Sequence, residues 1–328
     1  QIKDLADVKR TTLNDGRSAG LVMDIDPAPS YLAHIATLVD LDRLRSAGCQ
    51  TAVDPMHGAG AGYFAGLLSG GTTKVLEVRG TVNPSFPDMH NPEPIEHNLG
   101  PLRDAVLSSK AHVGVAMDGD ADRVGAIDAT GQCLTSLQVY ALLAYYFLEV
   151  RGQRGPIIKS LTLSNMVWKL AEKYEVPVHE TGVGFKYIAP VMVETDALMG
   201  GEESGGFAFK GHIPERDGVL SALYLIDLVV RTGKTLSENM EDIYALVGPH
   251  QYGRTDVVFD TTLRPEVEAR LRESYPTEIA GIDVVGVDTI DGIRYRMEGG
   301  RWSVIRFSGT EPLLRIYAEA PSAEQVQK

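Results

Sequence analysis

Three short segments of this sequence concentrate side chains that can do chemistry. The first is Asp118-Gly119-Asp120-Ala121-Asp122-Arg123, with carboxylates at alternate positions directly after an apolar run ending at Met117. Hard divalent cations take oxygen ligands, and Mg²⁺ accepts few from protein, so three aspartates on one tight loop can share an ion and leave positions for a phosphate oxygen. A helix-flanked calcium loop is excluded, because Arg123 stands where its turn glycine belongs and Ala129 where its bidentate glutamate belongs. A solvated acidic turn is the plain alternative. The second segment is Gly200-Gly201-Glu202-Glu203-Ser204-Gly205-Gly206. Paired glycines on both sides let backbone approach a ligand closely, and Glu202 and Ser204 offer the groups that pair with vicinal hydroxyls. The alternative is a flexible turn with two hydrated glutamates. The third is Arg306-Phe307-Ser308-Gly309-Thr310-Glu311-Pro312, with Arg315 following. Hydroxyls, the N–H groups around Gly309 and two guanidiniums suit a phosphate dianion, although a bare hairpin turn would look similar.

Elements must hold these loops. Residues 51–54, 74–78, 112–117 and 124–128 read as strands, separated by helices over 63–68 and 99–110 and followed by one over 137–150. After a linker at 152–155 the alternation repeats: strands at 156–159, 176–180 and 197–200, and helices at 164–174, 185–193 and 218–230. Beyond Gly248-Pro249 the pattern changes to one helix, 265–274, and alternating stretches at 284–287, 292–297, 302–307 and 313–319. The fold class expected is α/β: two successive, similar α/β domains with mixed sheets, then a smaller C-terminal α+β domain with an antiparallel sheet. The expected boundaries are 1–47, a helical tail that reads as the end of something larger, then 48–151, 152–249 and 250–328. Helices are predicted within the tail at 2–5 and 31–44.

The 328 residues carry a formal charge of −13, from 31 basic and 44 acidic side chains, which disfavours nucleic-acid binding as the main task. Two cysteines, Cys49 and Cys133, make neither a disulfide framework nor a four-ligand zinc site, and they fit a reducing compartment. The longest apolar run, 139–148, is too short to cross a bilayer. A cytoplasmic protein without membrane partners is expected, although the chain begins with Gln1, so its natural N-terminus is open.

Taken together and in this order, the three loops resemble the α-D-phosphohexomutases, the family of phosphoglucomutase, phosphomannomutase and phosphoglucosamine mutase. Asp54-Pro55-Met56-His57-Gly58-Ala59-Gly60, Thr181-Gly182-Val183-Gly184-Phe185-Lys186 and Pro214-Glu215-Arg216-Asp217-Gly218 fit the resemblance too. That family has four domains around a cleft, and this chain resembles the second, third and fourth. The resemblance implies that Asp118, Asp120 and Asp122 hold Mg²⁺, with Arg123 beside the transferred phosphoryl group. It implies that Glu202 and Ser204 grip sugar hydroxyls, and that Arg306, Ser308, Gly309, Thr310 and Arg315 hold the unreactive phosphate. Lys159 and Lys186 are further candidates lining the cleft, Lys159 as a catalytic group. The partners implied are a hexose phosphate and a hexose 1,6-bisphosphate activator, on a monomer or homodimer.

The sequence departs from the family at one place. The family nucleophile is a phosphoserine in a first-domain segment resembling Thr-Ala-Ser-His-Asn-Pro, and no such segment exists here. His90-Asn91-Pro92 is a decoy, because Met89 stands before it, whose thioether cannot carry a phosphoryl group, and its proline-rich surroundings resemble the second domain's loop. The expectation is a hexose 1-phosphate/6-phosphate mutase lacking most of its first domain and inactive alone. Gly-Glu-Glu-Ser-Gly-Gly leans towards glucose. The competing reading is a non-catalytic sugar-phosphate binder that lost that domain naturally.

Overall fold

The computed structural model describes residues 11–308 and 312–328. The chain divides into two compact units, Gln1–Leu38 and Val39–Lys328. In the first, α1 (Leu13–Ser18) is capped by Thr12, whose hydroxyl accepts the Asp15 N–H at 3.1 Å, and α2 (Ala28–Leu38) follows. The predicted helix at 2–5 lies outside the described residues.

The second unit opens with α3 (Leu41–Ser46), started by Asp40, whose carboxylate accepts the Arg43 N–H. This cap interrupts the single helix predicted over 31–44. Then come β1 (Gln50–Asp54), α4 (Tyr63–Leu68), β2 (Lys74–Glu77), α5 (Gly100–Ser109), β3 (Val113–Met117), β4 (Val124–Asp128) and β5 (Cys133–Leu134). They form a five-stranded sheet in the order β2-β1-β3-β4-β5, parallel from β2 to β3 and antiparallel beyond. Every residue of β3 and β4 is buried, which fits apolar runs without polar alternation.

A second set follows: α6 (Ser136–Tyr145), continued by a wider π-type turn at Tyr146–Val150, β6 (Ile157–Ser160), α7 (Met166–Lys173), β7 (Val178–Thr181), α8 (Phe185–Thr195), β8 (Met199–Gly201), β9 (Phe207–Phe209), α9 (Gly218–Thr232) and α10 (Leu236–Val247). Its sheet runs β7-β6-β8-β9, with β6 parallel to both neighbours and β8-β9 a hairpin. Helix α9, buried along almost its whole length, packs on β3 and β4 of the first sheet. Helix α10 is new relative to the sequence reading, yet its capping box, Thr235 with Glu238, is a signal that composition obscured.

The last set is β10 (Gln251–Val258), α11 (Arg264–Glu273), β11 (Glu278–Ile279), β12 (Ile282–Asp288), β13 (Ile293–Met297), β14 (Arg301–Phe307), β15 (Leu313–Ala320) and α12 (Ala323–Gln327). Its six strands are antiparallel throughout, in the order β10-β15-β14-β13-β12-β11. It meets the second sheet through a buried cluster of Leu161, Trp302, Val304 and Tyr317. The Trp302 Nε1–H donates to Glu319 at 2.6 Å, and Ser164 donates to the same carboxylate. The expected fold class is the one observed. Besides α10, the short strands β5, β9 and β11, the long strand β10 and the short helices α1 and α12 are elements that sequence periodicity did not reveal. Among the described residues no helix is long and apolar enough to cross a membrane.

Candidate active site

The aspartate loop is the turn between β3 and β4, so the antiparallel pairing of those strands fixes both of its ends. Asp118 is buried, and its Oδ1 accepts the Arg123 N–H at 3.0 Å. Two backbone segments brace the loop. The Gly119 N–H donates to Pro92 O at 3.1 Å, and Gly119 O accepts the Ala59 N–H at 3.0 Å. Any Cβ on Gly58 would lie 2.4 Å from Gly119 O, so the turn at 54–60 needs glycine there.

Ligand oxygens of Asp118, Asp120 and Asp122 lie within 4.8 Å of one another. Burial, reinforced by Asp122 and Asp120, pushes the Asp118 carboxyl up to about 7, against the Arg123 N–H and guanidinium that pull it down. The Asp122 Oδ1 is buried without a hydrogen-bond partner among the described residues, with Arg123 Nε 3.6 Å away. A group of crowded carboxylates with an oxygen that accepts no hydrogen bond fits a hard divalent cation, whose charge would reverse the repulsion.

The second loop closes the β8-β9 hairpin and is stitched to the first by main chain. Val124 N–H donates to Gly205 O at 3.0 Å and Arg123 bridges Gly206 in antiparallel fashion, while Gly218, at the start of α9, donates its N–H to Ala121 O at 2.9 Å. Glu202 is buried, and its Oε1 accepts from Ser204 Oγ at 2.9 Å and Arg216 Nη1 at 3.2 Å. Arg216 also pairs with Asp122 at 2.6 Å. Sequence reasoning quoted the stretch around Arg216 without giving it a role, whereas the structure makes it the link between aspartate loop and hydroxyl loop. Arg123 pairs with Glu93 at 3.2 Å and lies 3.3 Å from Asp118.

Arg306 and Arg315 face each other across the β14-β15 ladder, on the strands that flank the third loop. Like charges directly opposite are unfavourable in a sheet unless something balances them. Asp291 lies 3.0 Å from Arg306 Nε, and Asp256 is the register partner of Arg315 on β10. Arg254 holds Asp256 with two hydrogen bonds at 2.7 Å and reaches Glu203 at 3.0 Å. Glu203 therefore ties the hydroxyl loop to the antiparallel sheet. Ser308 is buried, with its N–H donating to Leu313 O at 2.9 Å. Gly309 and Thr310 lie outside the described residues.

Two lysines fare differently. Lys186 is exposed in the first turn of α8, over the Tyr187 ring at 4.9 Å. Lys159 is enclosed: its side chain is fully buried and its Nζ donates to Glu180 at 2.7 Å. Its expected place on a cleft wall is thus corrected. It sits on β6 between two neighbouring strands, directly opposite Glu180 of β7, and its charge is spent within the protein.

The aspartate loop is the basis of the first expected outcome. A ligand that binds only the native state at about 100 times its Kd raises stability by about 2.7 kcal/mol. Mg²⁺ should raise the thermal midpoint of this chain, and Asp120→Asn should abolish that rise. Equal responses of both proteins would remove Asp120 from the ligand set.

Two mixed-sheet units, an antiparallel sheet and these three loops in this order define the α-D-phosphohexomutase class. The chain belongs to the phosphoglucomutase/phosphomannomutase family: residues 29–131 match its α/β/α domain II, 135–247 its α/β/α domain III and 266–328 its C-terminal domain. It is 30% identical to a phosphoglucomutase/phosphomannomutase of Thermococcus kodakarensis over 91% of this chain and 62% of that protein. It is 29% identical to a phosphoglucosamine/phosphogalactosamine mutase of Sulfurisphaera tokodaii, over 89% of this chain and 62% of that protein. A crystal structure assigned as a phosphomannomutase, from Thermus thermophilus, superposes with a TM-score of 0.79 at 34% identity, covering 92% of this chain and 64% of that one. The chain thus spans about 62% of the length of these two curated relatives.

Proposed function

We propose that this chain carries the metal-, sugar- and phosphate-binding part of a phosphohexomutase that interconverts hexose 1-phosphate and hexose 6-phosphate. The supporting observation is the set of ion pairs running from Asp122 through Arg216 to Glu202, and from Glu203 through Arg254 and Asp256 to Arg315. It links three loops that are far apart in sequence. In this reading the sequence divides at about residues 47, 151 and 249 into a remnant of a first domain and three further domains.

Arg306, Arg315 and the Ser308 turn would hold the phosphate that does not react, through charge-assisted hydrogen bonds. Glu202 and Ser204 would take two sugar hydroxyls, with Arg216 keeping the Glu202 carboxylate in place. Arg123 would stabilise charge on the transferring phosphoryl oxygens from a partly buried position. Mg²⁺ held by Asp118, Asp120 and Asp122 would supply Lewis-acid neutralisation of that phosphoryl group. Lys186, on the exposed start of α8, would close the phosphate side. A hexose 1,6-bisphosphate is the intermediate this reading requires, formed with a phosphoserine that these 328 residues do not contain in a recognisable segment. Glucose is the favoured sugar because of the Gly-Glu-Glu-Ser-Gly-Gly loop.

The test is a calorimetric titration with glucose 1-phosphate. A charge-assisted hydrogen bond contributes about 1.5–3 kcal/mol, and roughly 1.4 kcal/mol is one decade of affinity. Arg306→Ala should therefore weaken binding about tenfold or more. Unchanged affinity would remove the β14-β15 turn from the site.

A further inference from the structure

We propose that Asp291 is a positioning residue, which couples the loop at 181–186 to the guanidinium of Arg306. The inference rests on the phosphate-site reading above. Asp291 lies in the turn between β12 and β13. A single carboxylate oxygen, Oδ2, accepts the Val183 N–H at 2.9 Å and lies 3.0 Å from Arg306 Nε. One atom thus joins the second sheet's loop to the antiparallel sheet.

The backbone around this atom leaves it little choice. A Cβ on Gly292, whose φ is +85°, would come within 2.4 Å of Ile305 O and 3.1 Å of the Arg306 Cα. The turn therefore lies directly on the Arg306 main chain. On the other side a Cβ on Gly182 would already be in contact with Asp291, at 3.5 Å. Both Asp291 and Arg306 are mostly shielded from solvent, with side-chain exposures of 26% and 15%.

Asp291 holds the guanidinium by charge from its Nε side and not by a directed hydrogen bond, since Arg306 Nε has no hydrogen-bond partner among the described residues. Phosphate is bound best in bidentate fashion, which needs the guanidinium in one place. Asp291 thus sets the position from which Arg306 meets an anion. Because the same oxygen anchors Val183, a shift of that position is also felt in the loop that leads to Lys186. Charge and position act in opposite directions here. Removing a nearby carboxylate strengthens anion binding through charge alone, whereas losing the position weakens it.

The experiment is a titration of inorganic phosphate and glucose 1-phosphate into wild type, Asp291→Asn, Arg306→Lys and the double variant, with circular dichroism to establish folding. Asp291→Asn should bind both ligands about threefold to tenfold more weakly. Arg306→Lys, which keeps Asp291 and the charge but loses the bidentate guanidinium, should weaken binding too. In the double variant the Asp291→Asn effect should vanish, since interacting residues are not additive. Affinity that is unchanged or tighter in Asp291→Asn overturns the inference, as does full additivity. If Asp291→Asn fails to fold, Arg306→Lys binding like wild type overturns it instead. Unchanged affinity in Arg306→Ala is a separate result, and it sinks the phosphate-site reading itself.

Discussion

Purified alone, the 328-residue chain is expected to bind glucose 1-phosphate and to form no glucose 6-phosphate. The assay couples glucose 6-phosphate to its dehydrogenase, with Mg²⁺ and glucose 1,6-bisphosphate supplied. Moving a phosphoryl group between the two ends of a hexose needs a covalent carrier, because a phosphate held at one end cannot reach the other carbon. The decoy stretch around His90-Asn91-Pro92 is structural. Met89 is partly buried against the core cluster around Ala52, Met56 and Leu99, and Asn91 O accepts from Asn98 at 2.9 Å. Among the serines of the site, Ser204 does have a carboxylate beside it, at 2.9 Å, which the sequence reading did not foresee. That carboxylate, Glu202, is also engaged by Arg216, so its lone pairs serve the loop rather than a proton transfer. Turnover near that of a full-length relative would show that a nucleophile lies among these residues, and single serine-to-alanine variants would then find it.

Lys159→Ala is expected to destabilise the protein more than any change in the exposed loops, by about 3–5 kcal/mol, the usual cost of breaking a buried ion pair. Lys159 is fully buried, and burial pushes its ammonium pKa down. Its partner Glu180 also receives Arg294, at 2.6 Å. Burial pushes the Glu180 carboxyl up, but Lys159 and Arg294 together outweigh it and hold the group at about 2, below its ordinary 4.5. A depressed carboxylate stabilises the fold above its unfolded pKa, and that contribution fades as pH falls from about 4.5 towards 2. Lys159→Met keeps the volume and removes the charge, so it should cost less than alanine and flatten this acid dependence. Urea unfolding at pH 7 and at pH 4 measures both effects. A Lys159→Met protein with wild-type stability but lost hexose-phosphate binding would return Lys159 to the cleft.

The sequence showed the scaffold wherever periodicity was strong. The buried runs of β3 and β4 and the long apolar helix α9 need no partner to be recognised. Edges were less visible, since β5 has two residues and β9 three, too few for any period to register. The three loops announced themselves by residue type. What stayed hidden was who holds them. Arg216, Glu203, Arg254 and Asp291 are ordinary charged residues in sequence, and their partners lie far along the chain, as Asp122 does from Arg216. Lys159 misled for the converse reason. A lysine ending a strand near a motif looks available, and only the pairing of β6 with β7 shows that Glu180 already holds it.

The main-chain stitching between the aspartate loop and the hydroxyl loop has a consequence for descent with change. Gly205 sits where a Cβ would strike Val124 O at 2.9 Å, and Gly218, which opens α9 beside them, where one would strike Arg123 O at 2.4 Å. Lengthening either loop by one residue would break hydrogen bonds on both at once, so insertions there are closed to gradual modification. Exchange of a side chain such as that of Ser204 stays open, because its hydrogen bond runs to another side chain, Glu202. A lineage built on this scaffold would therefore acquire a new sugar preference by swapping side chains on loops of constant length.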